Sequence, residues 1–270
     1  MGNEIAGGKG RLELHRWGGD DATFVAVIVH GLGEHAGRYN HVARALVDKG
    51  AAVYAGDHYG HGASEGEQGV VEGLDPLVDD TALVVDLARS EHPGLPAVMI
   101  GHSLGGLIAT RYAQRPDHGL TALVLSAPAV GLNPALIGLL EMPEFPEVPI
   151  DPSVLSRDPA VGEAYATDPL VYHGPLLKGT LAALVGSVGA VAEGPDFGGL
   201  PTLWLHGTED FLVPIDAARP LVEKVGGETL ERKSYEGARH EIFNETNQDE
   251  VIADAVAFIT RTLDRASDLA

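Results

Sequence analysis

The chain contains no cysteine. Disulfides, thiolate metal sites and a cysteine nucleophile are excluded together. Basic residues are also scarce: 18 Lys and Arg stand against 39 Asp and Glu, a formal charge of −21 that repels nucleic acid and anionic membrane surfaces. Long hydrophobic runs are missing. The longest apolar stretch, 181–192, is broken by Gly186, Ser187 and Gly189 and falls far short of the roughly 20 residues that span a bilayer. Residues 1–10 show no basic segment followed by an apolar one, so no secretory signal is expected and a cytoplasmic, water-soluble protein is. At 270 residues the chain can bury a substantial core in one or two domains.

What is present centres on residues 97–110. Ala97-Val98-Met99-Ile100 reads as a strand covered on both faces, and Leu107, Ile108, Ala109, Tyr112 and Ala113 continue with helical spacing. Between them lies Gly101-His102-Ser103-Leu104-Gly105, a G-x-S-x-G turn that lifts the Ser103 hydroxyl above the sheet edge at a helix N-terminus. A second match, Gly62-Ala63-Ser64-Glu65-Gly66, follows no apolar strand and sits among glycines, so Ser64 reads as a loop residue.

The rest alternates strand and helix. Residues 11–16, 24–29, 51–55, 122–125, 201–206 and 230–235 read as strands; helical spacing recurs from Val42 to Gly50 and over 76–90, 214–225 and 248–265. In the 76–90 helix Val78, Leu83, Val84 and Leu87 are expected to face the core. This rhythm predicts an α/β protein with a mostly parallel sheet and helices on both faces. Residues 131–199 break the pattern with repeated prolines and short helical candidates. They are expected to form an inserted helical cap over the C-terminal sheet edge, with 1–130 and 200–270 as the core. The 181–192 segment has two readings, packing against the cap's own helices or an exposed lip for greasy substrate.

A serine hydroxyl needs a base within hydrogen-bond reach and a carboxylate to orient that base. In the α/β-hydrolase fold these follow in the order Ser, Asp or Glu, His. Asp210 lies just past one buried strand and His240 just past the next, the only histidine after it. Glu209 and Asp216 are rival orienters; Asp210 suits a tight turn better. Donors for an oxyanion would be the backbone N–H groups of Leu104 and, from the glycine-flanked loop 30–33, of Leu32.

His30-Gly31-Leu32-Gly33-Glu34-His35-Ala36-Gly37-Arg38-Tyr39, Gly101-His102-Ser103-Leu104-Gly105-Gly106 and the stretch from Ser156-Arg157-Asp158-Pro159 to Asp168-Pro169-Leu170-Val171 together resemble the monoacylglycerol lipases of the α/β-hydrolase superfamily. The resemblance runs over nearly the whole chain. It implies a mobile cap over an acyl-binding tunnel, metal-free and cofactor-free hydrolysis of one fatty acyl ester of glycerol, and at most transient contact of the cap with a membrane or micelle. It also implies that Glu34 and Arg38 shape the glycerol end of the pocket; an Arg38–Glu34 pair bracing the loop is the other reading. Two positions depart from the family pattern, Tyr59 where an arginine is expected and Phe243 near His240. A broader carboxylesterase or lysophospholipase, and a lipid-binding module without catalysis, are the alternatives.

Overall fold

The structure is a computed structural model that describes residues 3–19, 21–147, 149 and 151–268. Among these residues eight strands form one sheet: β1 (Glu4–Ala6), β2 (Arg11–Trp17), β3 (Phe24–Val29), β4 (Ala51–Gly56), β5 (Ala97–His102), β6 (Ala122–Ser126), β7 (Thr202–Gly207) and β8 (Leu230–Tyr235). Their spatial order is β1-β2-β4-β3-β5-β6-β7-β8, with β2 antiparallel to both of its neighbours, β1 and β4, and the other pairings parallel. The α-helices among the described residues are α1 (Asn40–Val47), α2 (Leu74–Glu91), α3 (Leu104–Ala113), α4 (Pro134–Gly138), α5 (Pro159–Thr167), α6 (Lys178–Glu193), α7 (Ile215–Val225) and α8 (Gln248–Asp268). The short β1, only three residues long, has too little alternation to be read from the sequence.

Strand alternation divides the core in two. Val25, Val27 and Val29 of β3 point into the layer filled by α2, α3 and α7, whereas Phe24, Ala26 and Ile28 point toward α1 and α8. Both layers are apolar, which is why β3, β5, β6 and β7 are buried along their whole length. The chain leaves β3 toward the α1 face but leaves β5 toward the α3 face. Such a reversal between neighbouring strands opens a crevice at their C-terminal ends. Register places Val29 beside Gly101, so the loop after β3 starts next to Ser103.

One expected face is corrected. In α2 the buried stripe is Leu77, Val78, Thr81, Val84, Val85 and Ala88, while Leu83 is 42% exposed and Leu87 only half-buried. The helix begins at Leu74, before Pro76, and its phase carries Leu83 off the core-facing stripe. Ser64 is a loop residue, its hydroxyl donating to the Asp57 carbonyl at 2.6 Å and accepting from the Glu13 N–H at 2.9 Å. In the 181–192 segment, part of α6, Leu181, Leu184 and Val191 are buried in the α3 layer, and small residues such as Ala182, Gly186 and Ala190 face outward. The helix therefore packs on the core more than on the other helices of 131–199. Among the described residues no helix is long and apolar enough to cross a membrane.

The fold closes tightly behind the Ser103 turn. A β-carbon on Gly105 would sit 2.0 Å from the Val29 carbonyl oxygen, a contact that only glycine avoids. Gly105→Ala is accordingly expected to lower unfolding free energy by on the order of 2–3 kcal/mol or more, measured by chemical denaturation; a change within about 0.5 kcal/mol would show the contact to be relaxed without strain.

Candidate active site

Ser103 occupies the sharp connection between β5 and α3 with φ 53° and ψ −117°, a left-handed conformation that a side chain rarely adopts. Neighbouring backbone over-determines it. Its N–H donates to the Ser126 carbonyl at 3.0 Å, and its own carbonyl accepts from Leu107 at 3.0 Å and Ala129 at 2.9 Å. Strain of this kind costs about 1–3 kcal/mol and persists where structure enforces it.

The structure brings Ser103, His240 and Asp210 into one chain of hydrogen bonds. His240 Nε2 lies 2.8 Å from Ser103 Oγ, and Nδ1 lies 2.7 Å from Asp210 Oδ2. A carboxylate only accepts, so Nδ1 carries the ring proton and Nε2 is left to accept from the serine hydroxyl. Asp210 is held in turn: its Oδ1 accepts the N–H groups of Leu212 and Val213, each at 2.9 Å. Glu209 and Asp216, the rival orienters, are both exposed, and Asp216 pairs with Arg219 instead.

His206 was not singled out from sequence, yet it packs against the same carboxylate. Trp204 Nε1 can only donate, and it lies 3.0 Å from His206 Nδ1, which fixes the His206 proton on Nε2. That nitrogen is 2.8 Å from the Val213 carbonyl and 3.2 Å from Asp210 Oδ2. The arrangement shapes the charge. Burial alone pushes the Asp210 carboxyl up, but the His240 charge and hydrogen bonds from His206 and His240 outweigh it and hold the group well below the usual carboxylate range. Burial pushes His240 down, but the Asp210 charge and hydrogen bond, with Glu241 and Glu34 nearby, leave it raised above 6.5. His102, its ring centre 4.8 Å from that of His240 and tilted 53° to it, is pushed down to about 3 by burial and stays neutral.

The loop after β3 presses on the serine. A β-carbon on Gly31 would lie 3.3 Å from Ser103 Cβ. Leu32 and Leu104 both line the cavity beside Ser103, and among the described residues neither of their N–H groups meets a protein acceptor. Glu34 fixes this loop from behind: its Oε1 accepts from the Gly31 N–H and the Tyr39 hydroxyl, each at 2.7 Å. Arg38 donates to Glu34 Oε2 at 2.6 Å and, through both terminal nitrogens, to Glu241 at 2.7 Å. Glu34 therefore reaches the cavity wall, whereas Arg38 stands behind it. Glu241 also lines the cavity and was missed from sequence, although its place next to His240 was a signal.

A cavity of about 280 Å³ opens over these groups, and residues 131–199 contribute Leu136, Leu139, Leu176, Leu181 and Leu184 among its lining. Both strings singled out in that segment grip the site. Arg157 Nε donates to Glu245 Oε2 at 2.9 Å, and the Leu155 carbonyl accepts from the Glu241 N–H at 2.8 Å. Asp168 pairs with His35 at 3.0 Å, and the Tyr172 N–H donates to the Gly33 carbonyl at 2.8 Å. Among the described residues no group of three His, Asp or Glu is placed to hold a metal ion.

Residues 20–247 match the family described as serine aminopeptidase, S33. The chain is 38% identical to the monoacylglycerol lipase of Mycolicibacterium smegmatis over 94% of each chain, and 37% identical to human monoglyceride lipase over 81% of this chain and 75% of that one. Among solved structures, the monoacylglycerol lipase of Paleococcus ferrophilus superposes with a TM-score of 0.77 at 29% identity, covering 93% of this chain and 99% of the other.

The electrostatics of the three-residue chain predict its titration. The His240 imidazole should titrate above 6.5 in ¹⁵N NMR, and Asp210→Asn, which removes the main influence raising it, should bring the midpoint below that value. An unchanged midpoint in the folded variant would show that Asp210 does not control the ring.

Proposed function

The chain belongs to the monoacylglycerol lipase family of the α/β-hydrolase superfamily, and from that premise we infer that it cleaves monoacylglycerols to free fatty acid and glycerol through an acyl-enzyme on Ser103. The observation that carries this reading is the hydrogen-bonded sequence Ser103, His240, Asp210 at the polar floor of an apolar cavity.

Each step uses a group already described. Ser103 Oγ attacks the ester carbonyl as His240 Nε2 takes its proton, and Asp210 stabilises the imidazolium that forms. The carbonyl oxygen, now negative, is received by the Leu32 and Leu104 N–H groups, the second reinforced by the α3 N-terminus. When the tetrahedral intermediate collapses, the C–O bond to glycerol breaks and His240 returns the proton to the leaving alkoxide. Water, deprotonated by His240, then attacks the acyl-enzyme and releases the fatty acid. His240 must be neutral to begin, so kcat/KM is lost as pH falls through its raised pKa.

Residues 131–199 act in this account as a cap whose leucines receive the acyl chain and exclude water from the ester. Exposed Ile137, Met142 and Phe211 give the protein apolar points for brief contact with aggregated lipid. The alternative of a binding module has no use for an imidazole aligned on a strained serine.

Ser103→Ala is expected to abolish fluorophosphonate labelling and to cut kcat on a monoacylglycerol by about 10⁵- to 10⁶-fold, with Asp210→Asn losing about 10⁴-fold. Stopped assays of released fatty acid measure both; Ser103→Ala protein with turnover within tenfold of the parent would refute the nucleophile.

A further inference from the structure

The Ser103 end of the cavity is polar, and its charge is lopsided. The wall there carries two carboxylates, Glu34 and Glu241, and a third lining carboxylate, Asp151, comes from residues 131–199. The cation beside them, Arg38, does not line the cavity and its side chain is only 10% exposed. One terminal nitrogen reaches both Glu34 Oε2 and Glu241 Oε1, the other reaches Glu241 Oε2, and the guanidinium lies 5.2 Å from the Tyr165 ring centre. Two carboxylates on one guanidinium leave a net negative charge where screening by water is weak.

Lone pairs sharpen the point. Glu34 Oε1 is used by Gly31 and Tyr39, and Glu241 Oε2 by Arg38 and the Asn244 amide at 2.9 Å. Glu34 Oε2 and Glu241 Oε1 each take a single described donor, the same Arg38 nitrogen, so each keeps capacity for one more. A hydroxyl can donate there. A phosphate finds repulsion, and among the described residues no Lys or Arg lines the cavity to meet it.

Resting on the reading of this site as an ester hydrolase, we propose that Glu241 is a specificity-determining residue: by occupying Arg38 and adding a second carboxylate to the wall, it makes the site accept a neutral polyol and reject an anionic leaving group. With Glu241 uncharged, Arg38 would have a single carboxylate to neutralise it, and the polar end would be close to neutral. The overall charge of −21 also repels anions, but removing one of 39 acidic side chains scarcely alters it.

The test compares kcat/KM for monooctanoylglycerol and for its 3-phosphate, both below their micelle concentrations, in the full-length protein and in Glu241→Gln and Glu241→Asp. The parent is expected to favour the neutral ester by on the order of 10²-fold or more, and Glu241→Gln to lower that ratio at least about tenfold, chiefly through KM for the phosphate. Glu241→Asp, which keeps the charge, should restore most of the preference. An unchanged ratio in Glu241→Gln with a cooperative thermal melt overturns the proposal. The unmodified protein supplies a second measurement: 1-O-octylglycerol should inhibit hydrolysis of a p-nitrophenyl ester far better than its phosphate, and equal inhibition constants would overturn the proposal as well. A protein that fails to cleave monooctanoylglycerol yet shows this inhibition preference refutes the substrate reading and leaves the selectivity standing.

Discussion

The hydrogen bond between Asp210 and His240 is the contact on which the site depends. At 2.7 Å it fixes the imidazole tautomer, and without that tautomer no acceptor faces Ser103 Oγ 2.8 Å away. The bond is buried, so neither partner is relaxed by water, and each alters the other's proton affinity in the direction catalysis needs. Its geometry is inherited from the sheet. β7 and β8 are parallel neighbours, with His206 paired to Ser234 and Gly207 to Tyr235, so the two following loops emerge side by side.

A second set of contacts ties the loops to one another. Arg38 joins the loop after β3, through Glu34, to the loop of His240, through Glu241, and both glutamates face the cavity. Residues 131–199 reach the same two loops independently, by Asp168 to His35 on one side and Arg157 to Glu245 on the other. The loop after β3, the loop of His240 and the apolar wall are thus held by shared ion pairs and hydrogen bonds rather than by separate supports. Breaking one pair in such a network leaves a partly buried charge without a partner, which costs more than an exposed pair returns.

The sheet and its order of chemistry were legible because their signals are local. A buried apolar run followed by Gly101-His102-Ser103 announces a strand and its turn, and the sequence positions of Asp210 and His240 just past two more strands follow from the same alternation. The role of Glu241 was illegible for the opposite reason: Arg38, its partner, lies 203 residues away, and only the folded chain brings them together. His206 likewise reads as the end of a strand until Trp204 and Asp210 are seen on either side of its ring. Leu83 shows how a short pattern misleads, since two helical phases fit a Leu-Val-Val run and the packing of α2 chose the one that buries Val84 and Val85.

The account turns on a covalent bond between Ser103 and the acyl group. Mixing the protein with a monoacylglycerol, quenching in acid within milliseconds and mapping the peptide masses tests it most directly. An ester-linked acyl group on the peptide holding Ser103, formed and consumed at rates compatible with turnover, is the predicted result. Turnover with the acyl group found on another residue, or turnover undiminished when Ser103 is replaced by alanine, would contradict it.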